Sequence, residues 1–325
     1  MHVLVIGSSL IDLFIDLDQN PQISLENEKI ILNLGDKIPV GVKALSLGGN
    51  GGNTAAGIKK LGIDVSLYTY LGSDALSNYI ASTMQDEGVE VIIEKKEGKT
   101  TSLSIILSMG KDRTILSHHN KGNHSFDSSK ITKKPDLIYL TSIGNEWEEA
   151  YKNVLVYAKE NNIPIALSPG SAQMNDLNET LLQSIHVAKM LFCNLEEAKK
   201  ICEKLSGNTI DDPKNLLTKI TDYGFELISV TDGENGAYAL NDKNKSVYKI
   251  EAKQVDVNEK TGAGDAYAAA FLASYLNNLS IEECMKRGVL NALEVISSIG
   301  AHTGQLRSEE MDQKSKETDL QAQKI

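Results

Sequence analysis

Positive charge is in short supply in this 325-residue chain: 33 lysines and arginines face 44 aspartates and glutamates, for a net charge of −11. A surface of that sign argues against general affinity for nucleic acid or anionic membrane. Any polyphosphate it binds must be held by local backbone amides and a metal, because the overall field opposes it. Cysteine is scarce as well. Cys193, Cys202 and Cys284 are odd in number and form no CxxC pair, which points away from a disulfide framework or zinc site and fits a reducing cytoplasm. No apolar run approaches the roughly 18 residues needed to span a bilayer. The opening MHVLVIGSS carries no basic n-region and no cleavage pattern, so a signal peptide is not expected. Phe14 is the only aromatic between residues 13 and 47, and no aromatic cluster announces a nucleobase pocket. There are no internal repeats.

Two familiar phosphate-binding signatures are missing too. GGNGGNTAAGIKKLG (48–62) is not a G-x-x-x-x-G-K-[ST] loop, and Gly7-Ser8-Ser9 after the first strand does not supply G-x-G-x-x-G.

What the chain does have is alternation. Short apolar runs at HVLVIG (2–7), VSLYTYLG (65–72), DLIYLTSI (136–143), PIALSPG (164–170), MLFCN (190–194) and ELISVTDG (226–233) read as strands. Segments of helical period lie between them. NTAAGIKKLG (53–62) places Ala55, Ile58 and Leu61 on one face; SDALSNYIASTMQDEG (73–88) has Ser73 as its expected N-cap; Asp212 and Pro213 open another helix. The pattern predicts an α/β fold with a mostly parallel sheet covered by helices on both faces. Residues 13–47 and 89–121 break the rhythm. They are expected to form a small β-layer, a lid, that includes a hairpin turning at Gly110–Arg113. Residues 306–325 read as a polar tail after a domain spanning 1–305.

In open α/β sheets ligands bind beyond the carboxyl ends of the strands. The candidates there are Asp12, GGNGGN (48–53), NLEE (194–197), TDGENG (231–236) and TGAGD (261–265). Gly262, Ala263 and Gly264 can present successive N–H groups at a helix start, where an anion is favoured. Asp265 is poor company for a resting phosphate, but suits a base that takes a proton from an attacking hydroxyl. Read alone, it also suits an acid completing a helix's first turn. Cys193 reads as core, and His118-His119 as solvated or lid-packing side chains.

Together these residues resemble the ribokinase (PfkB-type) family of carbohydrate and nucleoside kinases, over residues 1 to about 305. Both long signatures, GGNGGNTAAGIKKLG and TGAGDAYAAAF, stand in the family's order. The resemblance implies a three-layer α/β/α ribokinase-like fold with a small β-sheet lid. It implies an ATP- and Mg2+-dependent kinase of a sugar or sugar-like alcohol, with a nucleoside kinase as the alternative and a non-catalytic ligand-binding member as a lesser one. By the same resemblance, Asp265 is the general base and Gly262, Ala263 and Gly264 the anion hole. Asp12, Gly49, Asn50 and Asn53 hold substrate. Asn194 and Glu197 organise phosphates and magnesium, largely through water. Thr231, Gly233 and Gly236 lie along the nucleotide, with Asn291 near its adenine or ribose. A homodimer through the lid is a further implication. The chain departs from the family at Glu259-Lys260, where D-T is usual and several relatives bind potassium. Lys260 puts a permanent cation there, which leaves monovalent-cation dependence open. Asn50 replaces the lysine of ribokinases proper, and Ala270 a usual glycine.

Overall fold

The computed structural model describes every residue except 19, 28, 111, 121, 244, 254 and 256–260. A ten-stranded sheet runs through the molecule. Its order is Gln323–Lys324, Ser246–Ile250, Ala237–Asn241, Leu227–Thr231, Met190–Asn194, Ile165–Ser168, Leu137–Thr141, His2–Ile6, Asp64–Leu71, Glu90–Lys95. The seven strands from Leu227–Thr231 to Glu90–Lys95 pair in parallel, and the three at the other edge are antiparallel. The parallel strands are apolar because both faces are covered. In the first strand, Val3 and Val5 enter one core while Leu4 and Ile6 enter the other. These are the two sides of a three-layer α/β/α sandwich.

From the first strand the chain progresses to one side through Asp64–Leu71 and Glu90–Lys95, and later to the other through Leu137–Thr141. The end of the first strand is therefore a point where the winding reverses, the usual place for a ligand crevice. One helix there is unlike the rest. Ala263–Leu276 buries all but three of its 14 residues. A helix apolar all round belongs in a core, and its alanines let the helices Asn50–Lys60 and Ile281–Ile296 pack close on either side. Its one buried carboxylate, Asp265, sits in the first turn.

Several elements differ from the sequence reading. The first helix starts at Asn50, not Asn53, with Gly49 (φ 86°) as N-cap. The next, Ala75–Asp86, is capped by Asp74, not Ser73: the Asp74 carboxylate accepts from Ser77 N at 3.0 Å and Thr101 N at 2.7 Å. Ser73 Oγ is used by Gly98 N instead. The small sheet is Gly41–Gly48, Leu10–Asp16, Leu103–Met109, Asp112–His118 in that order, so the expected 13–47 and 89–121 are displaced. Glu90–Lys95 joins the main sheet as the parallel partner of Asp64–Leu71, because the helix between them completes a β-α-β crossover. Among the described residues, Ile23–Glu26 and Lys29–Leu32 pair only with each other. The expected hairpin is present, with Met109 paired to Asp112.

The C-terminal residues are not a free tail. Ser308–Glu317 is a helix whose Met311 is fully buried in the larger core, and Gln323–Lys324 extends the main sheet. The polar composition hides this because the docked face consists of little more than Met311, Ser315 and Leu320. Met311→Ala is expected to cost about 2–5 kcal/mol, the usual penalty for emptying a buried methionine site. A urea midpoint unchanged from wild type would show that this helix contributes nothing.

Candidate active site

Asp265 stands where three elements meet. Its helix begins at Gly262, whose φ of 81° is unfavourable for any residue with a Cβ. A Cβ there would also lie 2.3 Å from that of Ala301. From the helix Asn50–Lys60, Asn50 Nδ2 donates to Asp265 Oδ1 at 3.0 Å and Asn53 Nδ2 to Oδ2 at 2.9 Å. Both carboxylate oxygens are thus held by neutral amides. The buried Asp12, on the strand Leu10–Asp16, supplies a second negative charge nearby. Gly48 is small because Asp12 is there: a Cβ at 48 would come 2.2 Å from Asp12 Oδ2.

Burial raises the Asp265 pKa to about 6; the two amide hydrogen bonds pull against that shift, and the Asp12 charge adds to it. The carboxyl is therefore ionised at neutral pH yet basic enough to take a proton from a hydroxyl as it reacts.

A cavity of about 200 Å³ opens beside it, and Asn50, Asn194, Glu197, Thr231, Gly264 and Asp265 reach its wall. A Cβ at Gly264 would meet nothing within 4 Å, so that stretch of backbone faces open space at a helix N-terminus. Asn194 and Glu197 form a reciprocal cap: Asn194 Oδ1 accepts from Glu197 N at 2.9 Å, and Glu197 Oε2 accepts from Asn194 N at 3.0 Å. Burial raises the Glu197 pKa, and the bonds from Asn194 oppose the shift. A half-buried carboxylate aimed at a cavity suits a hydrated magnesium ion, which commonly takes only one or two protein carboxylates beside phosphate oxygens. The amide N–H groups of the adjoining helix start suit the phosphates themselves.

The remaining sequence candidates are distributed unevenly. Gly49 caps the helix that carries Asn50 and Asn53. Ala263 is the first residue of the Asp265 helix, while Gly233 and Gly236 bracket the turn beyond Thr231. Asn291 does not line the cavity. It is fully buried, its amide donating to Ala266 O at 2.8 Å and accepting from Leu306 N at 2.9 Å. Both ends are used inside the protein, so Asn291 is a brace and not a nucleotide contact. Cys193 is buried at the cavity edge; His118 is exposed, its ring against Thr100 Oγ1. Glu259 and Lys260 lie outside the described residues. The loop from Ser168 to Ser171 also lines the cavity. No motif marks it, but it follows a parallel strand as the other candidates do.

The Asp265 environment has a consequence for stability. Its folded pKa lies above the unfolded value of about 3.9, so the native state holds its proton longer and stability falls as pH rises between about 4 and 6. Asp265→Asn should therefore stabilise the fold at pH 7, by up to about 3 kcal/mol less what the added N–H loses against the Asn50 or Asn53 donor. The gain should vanish below about pH 4. Urea titrations of both proteins across pH check this, and a variant less stable than wild type at pH 7 would contradict the assigned environment.

Comparison with known proteins gives a consistent result. The family model described as pfkB family carbohydrate kinase matches residues 2–307. A deoxyribokinase of Salmonella typhi is 24% identical over 316 residues, covering 93% of this chain and 95% of its own. A nucleoside kinase of Methanocaldococcus jannaschii is 25% identical over 263 residues, 79% of this chain and 81% of its own. The crystal structure of a putative ribokinase II from E. coli, in complex with ATP and Mg2+, superposes with a TM-score of 0.81 at 16% identity, covering 97% of this chain and 99% of that one.

Proposed function

Since the chain belongs to the pfkB family of carbohydrate kinases, a family of phosphotransferases to alcohol groups, we propose that it transfers the γ-phosphate of ATP to a hydroxyl of a sugar or sugar-like alcohol, with Asp265 as the general base. The observation that carries this reading is the pairing of Asp265, held by Asn50 and Asn53, with a cavity that Asp265 and Gly264 share. Asp12, Asn50 and Asn53, with the backbone at Gly49, bind and orient the acceptor so that its hydroxyl faces Asp265. As that oxygen attacks, its proton passes to the Asp265 carboxylate. The amides from Gly262 to Gly264 meet the charge that develops on the transferring group, aided by the helix dipole. Glu197, with Asn194 fixing its rotamer, is the residue to hold magnesium through water, and Thr231, Gly233 and Gly236 border the nucleotide. When bound, magnesium supplies countercharge to the phosphates. The small sheet covers the acceptor.

Preference for a sugar over a nucleoside rests on the acceptor side offering Asp12, Asn50 and Asn53 for hydroxyls but little for a base to stack on, Phe14 being the only aromatic between residues 13 and 47 and buried. A nucleoside acceptor using its 5′-hydroxyl on the same base is the alternative. Lys260 is read as supplying the charge that potassium provides in several relatives. Three buried free thiols and the use of ATP fit a cytoplasmic setting; among the described residues no helix is long and apolar enough to cross a membrane.

An ADP-release assay across pentoses, hexoses and nucleosides, with and without potassium, tests these points together. A sugar is expected as the preferred acceptor, with little gain from potassium. Asp265→Asn should fold, bind ATP and lose about 10²- to 10⁴-fold in kcat; near wild-type turnover would sink the mechanism.

The small sheet also carries an apolar face. Leu45, Leu13, Ile105 and Leu116 lie in register across its four strands, on the side opposite Asp12. Leu45 and Leu116 are 49% and 52% exposed. We infer that a second copy of the chain covers this face. Leu116→Glu should convert a dimer to a monomer in sedimentation, and a wild-type monomer at micromolar concentration would exclude the interface.

A further inference from the structure

The pair Asn53–Asp265 does not hold itself. A strap from Gly300 to Leu306 touches every element that builds it. Gln305 is buried, and its Nε2 donates to Asn53 O at 2.9 Å and to Ala301 O at 3.4 Å. Two carbonyl acceptors on the same side settle which end of the amide is nitrogen. Ala301 backs directly onto Gly262, the N-cap of the Asp265 helix. Leu306 N binds Asn291, whose other end holds Ala266 O, the residue after Asp265. Lys60, at the end of the helix that carries Asn53, donates to His302 O at 3.2 Å.

The helix Asn50–Lys60 is shaped to receive this strap. A Cβ at Gly57 would lie 1.9 Å from Gln305 Oε1 and 2.7 Å from the Cβ of Ala269 on the Asp265 helix. Glycine at 57, one turn beyond Asn53, lets Gln305 reach the Asn53 carbonyl while the two helices stay in contact. It carries no φ requirement of its own, so close approach is its reason.

We propose that Gln305 is a positioning residue for the phosphoryl-transfer base, acting through Asn53 and accommodated by Gly57. The proposal rests on the reading of Asp265 as the general base. Gln305 touches neither cavity nor carboxylate. It fixes where the backbone of Asn53 lies, and hence where Asn53 Nδ2 meets Asp265 Oδ2. Losing that register weakens one of the two hydrogen bonds that favour the ionised carboxylate, while burial and the Asp12 charge persist. Besides Asp12, Tyr139 is the titratable group whose charge couples to Asp265; Lys60 and His302 lie at the strap's far side.

The test withdraws the donor in two steric senses. Gln305→Met keeps the length and loses the N–H; Gln305→Asn keeps an N–H but falls short of Asn53. Each is expected to lower kcat about tenfold, because misplacing the base by a fraction of an ångström has that order of effect. KM for ATP should stay within about twofold. The acid limb of the kcat–pH profile should move up by about half a unit or more, which loss of stability alone would not produce. Either variant suffices if the other fails to fold. A wild-type acid limb in a folded variant, or a kcat loss with the limb unmoved, would overturn the role. Failure of the underlying reading is separately visible: the wild type would phosphorylate no acceptor, or Asp265→Asn would retain turnover whatever the Gln305 variants do.

Discussion

Two helices and a strand at the crest of this sheet meet around one cost: keeping the Asp265 carboxylate out of water without neutralising it. Burial pushes its pKa upward, and Asp12 pushes the same way. A cation would reverse the shift but would leave a weak base. Two neutral amides instead pull part of the way back, one on each oxygen. The result is an ionised yet basic group, and it depends on two helices lying close enough for bonds of 3.0 and 2.9 Å to both oxygens. The alanine-rich packing of Ala263–Leu276, the small residues opposite it and the strap at 300–306 serve that requirement.

The chain's acidity is then no obstacle to handling phosphates. Positive potential here comes from peptide dipoles at a helix start, a local and fixed source that a net charge of −11 does not cancel. The reciprocal cap between Asn194 and Glu197 has a comparable double use. Its hydrogen bonds stabilise the start of Leu195–Ser206 and hold a carboxylate at the rim of the cavity in one rotamer. A structural motif and a candidate magnesium contact are the same two side chains.

The small sheet divides its work by face. Alternation along Leu10–Asp16 sends Asp12 and Phe14 inward and Leu13 and Ile15 outward. A one-residue slip would exchange them. The register with Gly41–Gly48 and Leu103–Met109 thus places the Asp12 carboxylate on one side and an apolar surface on the other.

The sequence by itself determined the layered α/β fold, the crest positions and the identity of Asp265, because those rest on local signals: apolar runs, caps and glycine spacing read within a few residues. Taken alone, the TGAGD segment suited a base or a helix-turn acid, and the family resemblance favoured the base. Tertiary structure decided what depends on groups far apart in the chain. It brought Asn50 and Asn53 onto Asp265 across more than 200 residues, turned Asn291 into an internal brace, moved Glu90–Lys95 into the main sheet and docked the polar C-terminal segment through Met311. Gln305 carried no motif at all. Its meaning lies in a carbonyl on another helix and in the missing side chain of Gly57, and such complementarity is created only when the two surfaces meet.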